Sequence, residues 1–424
     1  MDKLVANIQE NSGTEGGLKQ LKILLNKDDQ YRQSPFLDEA LNTLDPCAHS
    51  LGYTFLLGAR SQRITDPQRF MNVAQEFFMS CNIQQVLCVI AQRFLELCVE
   101  NNTPIRAVKP LQAAALKIRQ STETLTPVHA YFLQACLLSK CYHAALHLID
   151  EDIFEVAWEK LNTPRDVLSY FYFAGMIYIG LKKYKKALAA LRIIIVAPAQ
   201  ALSGIVVEGY KKYALLSLIV HGKVPPVAKT SSMNIQRAIK SAPAYQEFIT
   251  AYGKHQADEL HKVATTHAEL FQKDKNFGLV KQCIQAQYRQ SIQRATQTYL
   301  TLSLDELANT VNLNGPIQTQ QLILRMIENG EIHAKINVRD SMISFDSTGE
   351  GYDTNDTGSV VDGRIQKVMS YARKVRVLDD TIAASTQFLG KSAQREGGRW
   401  GAGAEIDDDA SGMKDVAWSK KFMS

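Results

Sequence analysis

His143 and His147 stand four residues apart in a helical stretch, a spacing that lets two imidazoles share a metal ion. A zinc hydrolase built on such a pair needs a glutamate directly after the first histidine, and Ala144 occupies that position. Asp150, Glu151 and Asp152 follow with oxygen donors, but the pair reads as an ordinary helix face. No His-x-His pair occurs, which removes the metal signature expected of a zinc isopeptidase. Gly390-Lys391-Ser392 is the tail of a phosphate loop whose first glycine is replaced by Ser385 and which no strand precedes, so it reads as linker. Neither a Gly-x-Ser-x-Gly elbow nor a glycine fingerprint after a strand is present. The seven cysteines (Cys47, Cys81, Cys88, Cys98, Cys136, Cys141, Cys283) form no Cys-x-x-Cys, and most lie on apolar helical stretches where a free thiol behaves as a small hydrophobe. The sequence therefore predicts no catalytic residue, no cofactor and no metal site: a non-enzyme.

What must be positioned, then, is surface. The chain has 424 residues, too many for one compact core, so several units or a solenoid are expected. It is 46% hydrophobic and 21% charged with a net charge of +5, a field too mild to imply a nucleic-acid or membrane partner. Met1-Asp2-Lys3-Leu4 carries an acid early and no sustained apolar run, which predicts no secretory signal. The longest apolar run, residues 170–181, is too short to span a bilayer. The odd cysteine count suits a reducing compartment, cytoplasm or nucleus.

Residues 18–300 read as helices separated by short turns at Asp45-Pro46, Asp66-Pro67, Thr103-Pro104, Thr126-Pro127 and Thr163-Pro164. Phe171, Gly175, Tyr178, Tyr184, Ala187 and Leu191 match a tetratricopeptide unit, with Pro198 one residue short of the usual closing position. After a long amphipathic helix, Ser303 and Glu306 form a capping box, with Leu302 and Leu307 as its hydrophobic staple. Leu304, Leu307, Ala308 and Val311 make one apolar face, and Asn314-Gly315-Pro316 restarts a helix containing Ile323, Leu324 and Ile327. Gly330 after Asn329 reads as its left-handed cap. Ile332, Ala334, Ile336 and Val338 alternate as a strand, 339–341 turns, and Ile343 and Phe345 alternate on the return. That order, helix, helix, hairpin, is a winged helix on the end of a helical array.

Residues 346–363 are rich in Gly, Ser, Thr and Asp and read as a flexible linker. Helical periodicity returns in Ile365, Val368, Ala372, Val375, Leu378 and Ile382, a stripe that needs a partner to cover it. From residue 390 the Gly-rich, acidic chain is expected to be disordered; Trp418 and Phe422 beside Lys420 and Lys421 read as part of an unbound tail. The second helix of the winged helix carries one base, Arg325, and one acid, Glu328, too little charge for groove insertion. Lys335, Arg339, Arg289 and Arg294 look scattered. Protein contact is therefore expected over nucleic-acid contact, through an edge strand over 341–345 that extends a sheet into a neighbour. The expected interface residues are Met342, Ile343 and Phe345 on that strand and the six residues of the stripe.

These features resemble the PCI family, the module shared by the proteasome lid, the COP-nine signalosome and translation initiation factor three. Ala48-His49-Ser50-Leu51-Gly52-Tyr53, Glu208-Gly209-Tyr210-Lys211-Lys212-Tyr213, Gly278-Leu279-Val280-Lys281-Gln282 and Ile292-Gln293-Arg294 are similar to the signalosome's third-subunit family. So are Tyr299-Leu300-Thr301-Leu302-Ser303-Leu304 and Met326-Ile327-Glu328-Asn329-Gly330-Glu331-Ile332. Leu44-Asp45-Pro46 and Glu151-Asp152-Ile153-Phe154-Glu155-Val156 resemble the plant forms. Ser341 stands where the family usually has a glycine in the wing turn, which argues against a tight turn with positive φ there. Ala228-Lys229-Thr230 replaces the family's Lys-Tyr-Thr, and nothing is carried over to the tail.

The resemblance implies an all-α fold: a tetratricopeptide-like solenoid over 1–199, a PCI domain over 200–345 and a C-terminal bundle helix over 364–389. The PCI domain divides into a helical part, 200–300, and a winged helix, 301–345. It also implies a scaffold role in a complex that removes the modifier Nedd from cullin-RING ubiquitin ligases with a zinc isopeptidase on another subunit. Implied partners are other signalosome subunits, with subunits one and eight as neighbours and cullin-RING ligases reached indirectly. In plants such a complex represses light-dependent development. A PCI subunit of the proteasome lid or of the initiation factor has the same architecture, and a nucleic-acid-binding winged helix is the third alternative.

Overall fold

A computed structural model describes residues 2–12, 17, 20–21, 37–62, 66–80, 87–119, 121–156, 163–197, 201–226, 233–254, 256–311, 315–345, 355–386 and 388–390. The chain divides into two units, Met1–Phe345 and Asp346–Ser424. The first opens with α1 (Asp2–Asn11), α2 (Leu37–Thr43), α3 (Ser50–Gln62), α4 (Pro67–Ser80), α5 (Leu87–Glu100) and α6 (Ile105–Ile118). A two-residue parallel bridge, β1 (Thr124–Leu125) with β2 (Glu155–Val156), brackets α7 (Pro127–Leu138) and α8 (Tyr142–Ile149). Then come α9 (Pro164–Gly180), α10 (Tyr184–Val196), α11 (Gly204–His221), α12 (Met233–Lys240) and α13 (Pro243–Gly253). α14 (Ala257–Thr266), α15 (Ala268–Lys273) and the long α16 (Phe277–Thr298) close the helical part. The unit ends in β3 (Thr301–Ser303), α17 (Leu304–Val311), α18 (Pro316–Glu328), β4 (Ala334–Asn337) and β5 (Met342–Phe345). The short β1–β2 bridge escapes a sequence reading because two residues cannot show a period.

Several Xaa-Pro turns are helix starts. Asp66 Oδ1 accepts the Gln68 and Arg69 N–H groups at 3.1 and 3.3 Å, with Pro67 as the first residue of α4. Thr163 accepts from Asp166 N while Asp166 Oδ2 accepts from Thr163 N at 3.0 Å, a reciprocal cap in front of Pro164. Proline suits these positions because its missing N–H would have no intrahelical acceptor there. At the other ends, Lys140, Lys182 and Lys275 turn left-handed with φ of 58, 58 and 56°. Each closes a Schellman motif, as in Lys183 N–H donating to Tyr178 O at 2.9 Å. Such turns fold each helix back on its predecessor.

Beyond those hairpins, α3 packs on α5, α4 on α6, α5 on α7, α7 on α9 and α9 on α11. These helices thus touch neighbours one and two places along, the contact pattern of a solenoid. One continuous hydrophobic core runs through it from Ile8 to Cys283, and a second, Ile292 to Phe345, belongs to the winged helix. In the α9–α10 hairpin Gly175 faces Leu191, which is fully buried; a Cβ on Gly175 would lie 2.9 Å from Leu191 Cδ2. Tyr178 reaches back to the preceding hairpin and donates to Ile149 O at 2.7 Å and to Asp150 Oδ1 at 2.8 Å. Pro198 lies outside the described residues.

In the second unit the helix α19 (Asn355–Ala383) begins inside the segment expected as linker and breaks at 384–385 before a short turn over 388–390. Gly358 and Gly363 gave that segment its loop-like composition. Each costs a helix about 1 kcal/mol, which elongation of a nucleated helix tolerates. Residues 346–354 and 391–424, with Lys391, Ser392, Trp418, Lys420, Lys421 and Phe422, lie outside the described residues.

Candidate interaction surfaces

The winged helix is built around a three-stranded antiparallel sheet in the order β3-β5-β4. Leu302 and Ile336 both pair with Ile343, so β5 lies in the middle. This corrects the expectation of an edge strand over 341–345. Ile343 is fully buried and Phe345 is 7% exposed; both pack with Leu302, Leu304, Leu307, Ile323 and Met326. Of the three expected strand residues, Met342 alone presents its side chain to the surface. The cause is that Leu302 and Ser303, which carry the signals of a helix cap, also belong to the strand Thr301–Ser303 that covers β5. Both roles coexist. Ser303 Oγ accepts the Glu306 N–H at 3.4 Å while Ser303 pairs with Met342.

The open edges are therefore β3 and β4, which have no further strand partner among the described residues. β4 is followed by Val338, which is 71% exposed because the chain has already entered the turn. That turn is held by Asn337, whose Oδ1 accepts the Arg339 N–H at 3.2 Å and whose Nδ2 donates to Asp340 Oδ2 at 2.6 Å. Ser341 adopts φ of 52° despite its side chain, so the tight wing turn forms without glycine. Leu324, expected on the apolar face of α18, is exposed; Ile323 and Met326 fill the core instead.

On α19 the predicted stripe is solvent-facing: Ile365, Val368, Val375, Leu378 and Ile382 are each about half or more exposed, and Ala372 between them is exposed too. Spacings of three and four residues keep Ile365, Val368, Ala372 and Val375 on one seam, the geometry of a helix that packs against another.

The histidine pair faces solvent on α8; Glu151 Oε1 lies 3.8 Å from His147 Nδ1, while Glu151 and Asp150 also bind other side chains. Glu151 is hydrogen-bonded to Arg119, and Asp150 accepts from Lys186 at 2.8 Å as well as from Tyr178. Burial pulls the Asp150 pKa up, but those hydrogen bonds outweigh it and the net direction is down. No group of three His, Cys, Asp or Glu that could hold a metal ion assembles among the described residues.

The Glu208-to-Tyr213 stretch sits where the solenoid meets α16. Lys211 Nζ donates to Glu208 Oε1 at 2.7 Å and to Asp274 Oδ2 at 2.9 Å. Asp274 Oδ2 also accepts from Tyr245 OH at 2.9 Å, and Tyr245 OH accepts from Asn276 Nδ2 at 2.8 Å. Burial lowers the Lys211 pKa, yet the two carboxylates overcome that and raise it, so the ammonium stays charged. Removing one member would strand a mostly buried charge, which makes this network a rigid joint at the start of α16. Arg289 and Arg294, which look scattered in the sequence, project from α16 into one cleft.

Comparison with known proteins adds the family context. Residues 15–235 match the model for the N-terminal helical repeats of COP9 signalosome complex subunit 3, and residues 262–347 match the PCI domain. The chain is 39% identical over 387 residues to a Dictyostelium discoideum protein named COP9 signalosome complex subunit 3, covering 88% of this chain and 92% of that one. It is 32% identical over 421 residues to an Arabidopsis thaliana protein of the same name, covering 96% of each. Of these two the amoeba's protein shares the higher identity. The helical-repeat match is specific to signalosome third subunits, which a PCI match alone is not.

Proposed function

The chain belongs to the COP9 signalosome subunit 3 family, and from that premise we propose that it is a non-catalytic scaffold subunit of a signalosome. The observations that carry this reading are a sheet with two different open edges and, in the second unit, a long helix with an exposed apolar seam. Unpaired backbone groups on β3 and β4 can each accept a strand from a different neighbour, so sheets continue from subunit to subunit in an open arc. The α19 seam would enter a bundle of helices contributed by several subunits. Subunits one and eight are the neighbours this reading names. The chemistry, removal of Nedd from cullin-RING ligases, belongs to a zinc isopeptidase elsewhere in the complex. The domain boundaries follow: repeats over 1–199, PCI domain over 200–345, bundle helix in α19. No helix among the described residues is long and apolar enough to cross a membrane, and the reading places the protein in nucleus and cytoplasm.

Val368→Asp with Val375→Asp tests the seam, and Val338→Asp the β4 edge. These side chains are exposed, so the variants should keep the parent unfolding temperature. The expected outcome is loss of most co-purifying signalosome subunits for the seam variant and a partial loss for the edge variant. Full recovery of all subunits by both would overturn the proposed contacts.

A further inference from the structure

A cleft of about 1110 Å³ in the first unit lies between the α9–α10 turn and α16. Lys182, Lys183, Lys185 and Lys186 line one wall, and Arg289 and Arg294 the other. Lys223 closes one end, and Glu331 is the sole carboxylate among the described residues that line it. The cleft thus holds seven bases and one acid, a local excess of six against +5 for the whole protein. These are seven of the protein's 48 Lys and Arg residues, yet their local excess is comparable to the net charge of the whole chain. Lys186 is engaged by Asp150 and Arg289 by Glu331, the latter at 3.3 Å. No ion pair joins Lys182, Lys185, Lys223 or Arg294 to a carboxylate among the described residues. Like charges held together without counter-charge make a focused positive potential.

A second hollow of about 750 Å³ continues the cleft, sharing Lys182, Tyr184 and Arg289 with it and adding Gln285, Gln318 and Arg325. Along α16 the combined wall runs from Gln282 to Gln297, about 22 Å at 1.5 Å per residue. That is the length of about seven extended residues. Gln285, Gln293, Gln297 and Gln318 offer amide groups along it, each both donor and acceptor. A phosphate group only accepts, whereas a peptide backbone donates and accepts at every residue. Nucleic acid would call for aromatic faces to stack on, but Tyr184 and Tyr288 are half-buried and their hydroxyls engage Gln282 at 2.6 Å and His261 at 3.1 Å. Arg289 already takes one carboxylate, that of Glu331.

We propose that this cleft binds an extended acidic peptide segment of a partner protein, its carboxylates on the lysines and Arg294 and its backbone on the glutamine amides. The inference does not depend on the scaffold reading and is tested on the free full-length chain.

The probe is a fluorescein-labelled hexaglutamate peptide, followed by anisotropy at low salt. Lys185→Glu with Arg294→Glu should weaken binding about tenfold or more at unchanged unfolding temperature, while Lys109→Glu on α6 should leave it unaltered. Lys223→Glu supplies an independent reversal should the double variant misfold. Gln293→Ala with Gln297→Ala should weaken the peptide about threefold and leave competition by tripolyphosphate unchanged. Absence of binding, or binding indifferent to the charge reversals, would overturn the site. Displacement of the peptide by a lower concentration of tripolyphosphate or single-stranded RNA would overturn the assignment of a peptide.

Discussion

His129 on α7 is buried, and its Nδ1 lies 2.7 Å from Thr126 Oγ1 in a capping box. Burial lowers its pKa from 6.5 to about 4. The folded-state value of this base is depressed, so between those values the unfolded chain binds the extra proton and stability falls as pH drops. The contribution is fully present above pH 6.5 and is lost toward pH 4. Going from pH 6.5 to 5 should cost about 2 kcal/mol, read as a lower urea midpoint. His129→Gln, which can still accept in the capping box, should flatten that dependence. The wing turn offers a second test. Ser341 pays for a left-handed φ that glycine adopts freely, and Leu304 N–H donates to its backbone oxygen at 2.9 Å in either case. Ser341→Gly should raise stability by about 0.5–1 kcal/mol, measured by denaturant unfolding. A left-handed serine or lysine is hard to read from sequence because its cost is carried by surrounding hydrogen bonds, as at Lys182 and Lys275.

The α9–α10 hairpin shows what makes a helical pair legible. Gly175, Tyr178, Ala187 and Leu191 are one interlocking set, so their spacing in the sequence already encodes the packing. Gly175→Val should overpack Leu191 and destabilise by about 1–3 kcal/mol, visible as a lower unfolding temperature. The winged helix was legible in its order of elements but not in its strand order. Alternation tells which side of a strand is buried, not whether the strand is central or at an edge. Ile343 and Phe345 alternate either way, and only the pairing of Leu302 with Ile343 decides. The start of α19 is illegible for a different reason: Gly and Ser lower helix propensity locally, while helix length is set cooperatively. The α16 cleft was invisible because Lys185 and Arg294 lie more than a hundred residues apart.

A solenoid that propagates by neighbour contacts, a sheet with two edges unpaired among the described residues and a helix with an exposed seam share one property: each offers groups that the proposed scaffold role would cover with another chain. Near His143 and His147, Glu151 binds Arg119 and lies 3.8 Å from His147, and Asp150 accepts from Lys186 and Tyr178. The most direct test of the scaffold account is to purify the tagged chain from its own cells and assay the eluate for removal of Nedd from a cullin, beside the chain purified alone. The account predicts a multi-subunit signalosome that strips the modifier and an inert isolated chain. Activity in the isolated chain, or recovery of proteasome-lid or ribosomal proteins in place of signalosome subunits, would contradict it.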